Sequence, residues 1–194
     1  MNSNILIKIN NFIKNRLIEL LGALLVLFSI FLLASIISYS PSDPNFIYTP
    51  ENTEIKNIGG FYGSVVSDFL LQSFGLISFL LIINFFYWGI KIVIHKTVSN
   101  FITKIFYTLA YIVFGTTVLN IFYNDSFWLG LDSDGNGGFV GRIIKESIYY
   151  FAPLVENLYV IYGLILLAVI FFILSLGIKQ NEIIKILLFP FVII

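Results

Sequence analysis

Four stretches of this chain run free of Asp, Glu, Lys and Arg for long enough to cross a bilayer, and no other feature restricts its fold so strongly. They are residues 20–42 between Glu19 and Asp43, 69–90 between Asp68 and Lys91, 105–124 between Lys104 and Asp125, and 157–178 between Glu156 and Lys179. A hydrocarbon core needs about 20 predominantly apolar residues in a helix. Within it each backbone N–H and C=O must be paired inside the segment, so these stretches predict α-helices. Their β-branched and aromatic residues would favour strands in water, but lipid overrides that preference. Composition agrees: 58% of the 194 residues are apolar and only 11% charged, with a mean hydropathy of +0.95, where average soluble chains carry about 25% charged residues. The predicted fold is an all-α integral membrane protein with four transmembrane helices.

The placement of basic residues predicts its orientation. Lys8, Lys14 and Arg16 precede the first span, Lys91, Lys96 and Lys104 flank the loop between the second and third, and Lys179 and Lys185 follow the fourth. Those eight of the eleven basic residues fall on one side, and nine of the eleven acids fall on the other. Both termini are therefore expected in the cytoplasm. The first apolar run exceeds the 7–15 residues of a cleaved signal peptide and follows a long leader, which predicts an uncleaved signal anchor.

Residues 1–18 read as a cytoplasmic basic amphipathic lead-in, with Ile5, Ile9, Phe12 and Ile13 on one helical face. Such a segment can rest on an anionic membrane surface; an Asn-rich frayed tail is the other reading of the same residues. The membrane domain then covers 19–178, with outer loops at 43–68 and 125–156. The cytoplasmic tail 179–194 is apolar over 183–194 but broken by Lys185 and Pro190 and too short to span. It predicts the start of a linker to a further part.

An internal repeat runs through the membrane domain. Gly59-Gly60-Phe61-Tyr62-Gly63 returns 78 residues later as Gly137-Gly138-Phe139-Val140-Gly141, and Asp68 corresponds to Glu146. The same offset carries span one onto span three and span two onto span four. Each unit holds two spans, so the repeats are parallel hairpins and not inverted ones. After the second glycine turn Val140, Ile144, Ile148 and Phe151 share a face, which predicts a short outer-surface helix. In the first unit Val65, Val66, Phe69 and Leu70 are expected to run on into span two.

Little of this suggests chemistry. Proton relays and ion-coupled transporters place ionisable groups within the membrane, and these spans have none. Asn84, Asn120 and Gln72 are the notable polar groups at or near membrane depth, and Asn84 is expected to hydrogen-bond between helices. Asp132-Ser133-Asp134-Gly135-Asn136-Gly137 fits the first half of a calcium loop, but the bidentate Glu at its twelfth position is replaced by Ile143, so a polar turn is the better reading. His95 is the only histidine and there is no cysteine, and neither a phosphate loop nor a nucleophile elbow occurs. No catalytic, cofactor or metal residue is assigned. Tyr87, Trp88, Tyr123 and Trp128 near span ends are expected to sit in aromatic belts.

At the exit of span one stands Ser38-Tyr39-Ser40-Pro41-Ser42-Asp43-Pro44-Asn45, physically a helix stop. Together with Asn57, Gly59, Gly60, Gly63 and Ser67-Asp68, then Phe74-Gly75, then Gly137, Gly138 and Gly141, it resembles the N-terminal four-helix membrane domain of the FtsK/SpoIIIE family of bacterial DNA translocases. The likeness extends roughly from Glu19 to Ile178. It implies a membrane anchor at the division septum, acting in cell division and chromosome segregation. It also implies contacts with other division-machinery membrane proteins and a homo-oligomer, hexameric through a cytoplasmic motor that is absent from this sequence. DNA, ATP and magnesium would be engaged only by that motor. A small independent four-helix transporter or channel component is the alternative.

Overall fold

The computed structural model describes residues 3–49, 54–122, 135–151 and 157–178. Among them are six helices and no strand: α1 (Ser3–Ile37), α2 (Gly60–Phe74), α3 (Ile77–His95), α4 (Phe101–Phe122), α5 (Gly138–Phe151) and α6 (Leu158–Leu176). Four of them, α1, α3, α4 and α6, are long and apolar enough to cross a membrane. Leu20, Leu24, Leu27, Phe106, Leu109, Leu166 and Ile170 all lie exposed along these helices. A soluble protein would cover such side chains, whereas lipid solvates them. Asp132–Asp134, Tyr123, Trp128, Pro153 and the tail 179–194 lie outside the described residues.

The order long helix, short helix, long helix occurs twice, as α1–α2–α3 and α4–α5–α6. Within each unit the two long helices pack on each other, α1 on α3 and α4 on α6, while α2 meets α5 across the two units. The backbone of the glycine turns repeats as well. Gly60 and Gly138 both have positive φ, at 61° and 64°. Gly60 N donates to Asn57 O (2.9 Å) and Gly63 N to Gly59 O (3.1 Å); 78 residues on, Gly138 N donates to Gly135 O (3.2 Å) and Gly141 N to Gly137 O (3.4 Å). Among the described residues the two units therefore share one element order and one glycine-turn geometry.

The second span differs from its expected bounds of 69–90. Residues 60–74 form a separate helix, and Gly75, at φ 56°, turns the chain before Ile77–His95 crosses. Charge-free runs mark where polarity changes, and a glycine at positive φ carries no charge to mark the break. At its other end α3 continues past Lys91 because a lysine near a helix end can keep its stem in apolar surroundings while the ammonium reaches polar groups. The same reasoning places Lys104 inside α4. Span one stops at Ile37, not Ser42. Ser40 precedes Pro41 and is biased away from helical angles; Ser38 N and Tyr39 N still bond back to Ala34 O and Ile36 O, while the side chains of Ser38 and Asp43 accept from the next loop, at Ile58 N, Lys56 N and Asn57 N. Residues 6–18 are helical and continuous with α1.

Close packing between the crossing helices uses small residues. A β-carbon at Gly22 of α1 would lie 2.9 Å from Gly89 O of α3, and one at Gly89 would lie 2.8 Å from Gly22 O. Without a hydrophobic drive between helices in lipid, such contacts and buried polar bonds carry much of the association.

Candidate functional site at the glycine turns

The residues singled out by sequence gather at the end of the bundle where α2 and α5 lie. Asp43 is 3% exposed, and its carboxylate accepts from Lys56 N (3.1 Å) and Asn57 N (2.8 Å). Asn57, equally buried, donates from Nδ2 to Ser35 O (2.8 Å) and Ser67 Oγ (3.2 Å), and its Oδ1 accepts from Gly59 N (2.9 Å). One side chain thus ties the end of α1 to the turn and to α2. Ser38 Oγ accepts from Ile58 N (3.0 Å) and donates to Ala34 O (2.7 Å). Pro44 offers its carbonyl to Ser64 Oγ at 2.7 Å. Asp68 receives Tyr39 OH on one oxygen (3.1 Å) and Asn45 Nδ2 on the other (3.0 Å). Burial and the adjacent Asp68 carboxylate raise the Tyr39 pKa, which keeps the phenol a donor. Pro41 is exposed and acts as the helix stop alone.

Gly59 and Gly63 lie four residues apart and meet α1 at Ser35, where added β-carbons would sit 2.8 and 2.9 Å from Ser35 Oγ. In the second unit Gly137 and Gly141 meet α4 at Thr116, with β-carbons placed 2.1 and 2.3 Å from Thr116 O. The glycine turn is therefore a docking device, used once per hairpin. Asn120 fastens the second one, donating from Nδ2 to Gly138 O (3.2 Å) while its backbone carbonyl accepts from Lys145 Nζ (3.1 Å). The halves join where Leu76 N donates to Asn136 O at 2.9 Å and Gly75 faces the Asn136–Gly138 backbone. Phe74 packs on the core beside that joint. Asp43, Asn57 and Asp68 direct their polar atoms at the chain itself, the chemistry of a brace.

A family profile described as the 4TM region of DNA translocase FtsK/SpoIIIE matches residues 14–187. This chain belongs to that family. Similar relatives are the DNA translocase FtsK of Rickettsia bellii, 28% identical over 163 residues, and that of Rickettsia typhi, 27% identical over 182. These alignments cover 84% and 93% of this chain but only 21% and 23% of the relatives' lengths. The DNA translocase FtsK of Vibrio vulnificus is 39% identical over 74 residues, 38% of this chain and 7% of that protein. No solved structure matches. This FtsK/SpoIIIE membrane region thus has an all-helical fold whose two halves are braced by the motif residues quoted above.

At membrane depth this FtsK-type domain holds a second polar cluster. Asn84 on α3 is fully buried, with Nδ2 facing Ser175 Oγ (2.9 Å), Thr108 Oγ1 (3.0 Å) and Tyr111 OH (3.3 Å). Three spanning helices meet on one amide. Sequence reading anticipated the role of Asn84 but not its partners, which are hydroxyls of Thr108, Tyr111 and Ser175 scattered in apolar runs with no spacing to announce them. Trp88 is corrected from a belt residue to a packed one: it is 5% exposed and donates from Nε1 to Ser175 O at 2.8 Å. Asn84→Leu is expected to lower stability in detergent by about 1–2 kcal/mol. A double-mutant cycle with Ser175→Ala should show coupling, and strict additivity would separate the pair.

Proposed function

We propose that this chain is the membrane-anchoring domain of a septal DNA translocase, acting in cell division and chromosome segregation. The match of residues 14–187 to the family carries the reading. In it the domain lies in the bacterial inner membrane with both termini in the cytoplasm, a reading supported by the eight basic residues on that side. The glycine turns then face outward. The brace suits an anchor, since it makes a fixed platform of the outward end without any moving charge in the membrane. A cytoplasmic motor would supply ATP and magnesium chemistry, grip DNA and set a hexameric assembly, while the platform meets other division-machinery membrane proteins.

One set of fusions tests location and orientation in a dividing bacterium. A fluorescent protein that matures only in the cytoplasm should be bright when fused after Lys96 and dark after Asn136. The reverse pattern overturns the orientation. The whole chain with the same reporter at its N-terminus should collect as a band at the septum, and even distribution over the membrane removes the septal reading.

A further inference from the structure

The exposed face of α1 carries a seven-residue pattern that the packing of the bundle leaves unused. Leu6, Ile13, Leu20 and Leu27 recur at intervals of seven, and Asn10, Leu17 and Leu24 each follow four residues after the first three. Alternating steps of four and three, kept up over three heptads, are the period of a coiled-coil seam. Its six apolar members are between 47% and 62% exposed, and Asn10 is exposed with them. The buried residues of α1 (Gly22, Ser29, Leu32 and Ile36) lie on the other side of the helix at 3.6 residues per turn. Among the described residues, α2 and α3 are the helices that pack closely on α1.

Lipid can solvate this seam only where the helix is inside the membrane. α1 has 35 residues, about 52 Å at 1.5 Å per residue, against a hydrocarbon core of about 30 Å. Glu19 stands at the end of the bundle, paired at 2.7 Å with Lys96 just past α3. Residues 3–18 run on beyond that point, and a helix unbroken from Ser3 to Ile37 cannot cross the membrane and also lie flat on its surface. Leu6, Ile13 and Leu17 therefore project on the polar side. The four asparagines and five isoleucines of this stretch are weak helix formers in water, so its helix depends on packing.

We propose that a second copy of the chain supplies that packing, α1 pairing with α1 as a parallel coiled coil from Leu6 to Leu27. Two copies inserted in one membrane with the same orientation bring their first helices side by side, parallel and at the same depth, as the seam requires. Asn10 then meets its own counterpart, and a polar pair at one core position fixes register and the number of strands. Beside the seam Lys14 faces Ile9 and Arg16 faces Leu21 of the other copy, so no like charges oppose each other. The pairing does not depend on the septal role.

The chain contains no cysteine, so single-cysteine variants report the seam directly. The full chain in bacterial membranes, oxidised with copper phenanthroline and run on a non-reducing gel, should give disulfide-linked dimer for Ile13→Cys, Leu17→Cys and Leu20→Cys. Lys8→Cys, Asn15→Cys and Leu33→Cys, on the other side of α1, should give about fivefold less, since a disulfide forms only where the Cα atoms come within about 7 Å. Asn10→Asp sets two carboxylates against each other and should lower the Leu17→Cys dimer about tenfold at pH 8. Asn11→Asp, off the seam, should leave that yield unchanged, and neither should move the melting temperature. Equal dimer at every position, the pattern of random collision, overturns the seam. No dimer at any position, the result expected if lipid or another part of the same chain covers α1, overturns the pairing.

Discussion

Asp43→Ala should cost about 2–4 kcal/mol of unfolding free energy, measured by titrating the detergent-solubilised chain with a denaturing surfactant. The carboxylate is 3% exposed and accepts two backbone N–H groups, those of Lys56 and Asn57. A hydrogen bond to a charged acceptor contributes about 1.5–3 kcal/mol, the two that share this carboxylate add less than fully, and water reaching the freed donors offsets part of their desolvation. The loss should spread, because the Asn57 backbone that Asp43 holds also positions the amide linking Ser35, Ser67 and Gly59. Asp43→Asn is expected to recover about half of the loss, since one oxygen can still accept while the amide nitrogen cannot. A shift below about 0.5 kcal/mol for the alanine variant would mean that the loop is held elsewhere.

The spanning architecture was legible in the sequence because lipid leaves so few options: a charge-free run of sufficient length has to be helical. The 78-residue repeat was legible for a similar reason, as Gly60 and Gly138 need the same left-handed turn and Gly59/Gly63 and Gly137/Gly141 the same close approach. What stayed hidden was the break at Gly75. Nothing in Gln72-Ser73-Phe74-Gly75-Leu76 differs in polarity from a continuous helix, and the turn depends on a partner, Asn136, that lies far along the chain. The motif from Ser38 to Asn45 could be read locally as a helix stop. Its larger role depends on Asn57 and Asp68, whose distance in space no spacing rule supplies. Ser35, Thr108, Thr116 and Ser175 went unmarked altogether, because a lone hydroxyl in an apolar helix most often just bonds to its own preceding turn. Ser35 does this, donating to Phe31 O at 2.8 Å, while its carbonyl also receives Asn57.

The hidden joint gives the largest expected effect. Gly75→Ala should destabilise the domain by about 2–6 kcal/mol, as the sum of two costs. A β-carbon in a sparsely populated backbone region costs about 1–3 kcal/mol, and Gly75, at φ 56° and ψ −136°, lies in one that only glycine readily adopts. The same atom would stand 1.9 Å from Asn136 O, 2.5 Å from Asn136 C and 2.9 Å from Gly138 N. These are backbone atoms and cannot rotate aside, so the α2–α3 turn or the second glycine turn must move. Overpacking of that kind typically costs about 1–3 kcal/mol. Movement also breaks the Leu76 N–Asn136 O bond that joins the two hairpins. Gly60→Ala separates the two costs, because Gly60 has φ 61° but a β-carbon there meets nothing within 4 Å. It should lose only the conformational part, about 1–2 kcal/mol. Gly163→Ala in α6 meets open space at an ordinary helical angle and should be neutral or slightly stabilising. Surfactant unfolding of the three variants should therefore rank Gly75→Ala far below Gly60→Ala, and Gly60→Ala below Gly163→Ala. If Gly75→Ala unfolds no more easily than Gly60→Ala, the hairpins are not joined at Asn136, and the α2–α5 contact has to hold the platform without it.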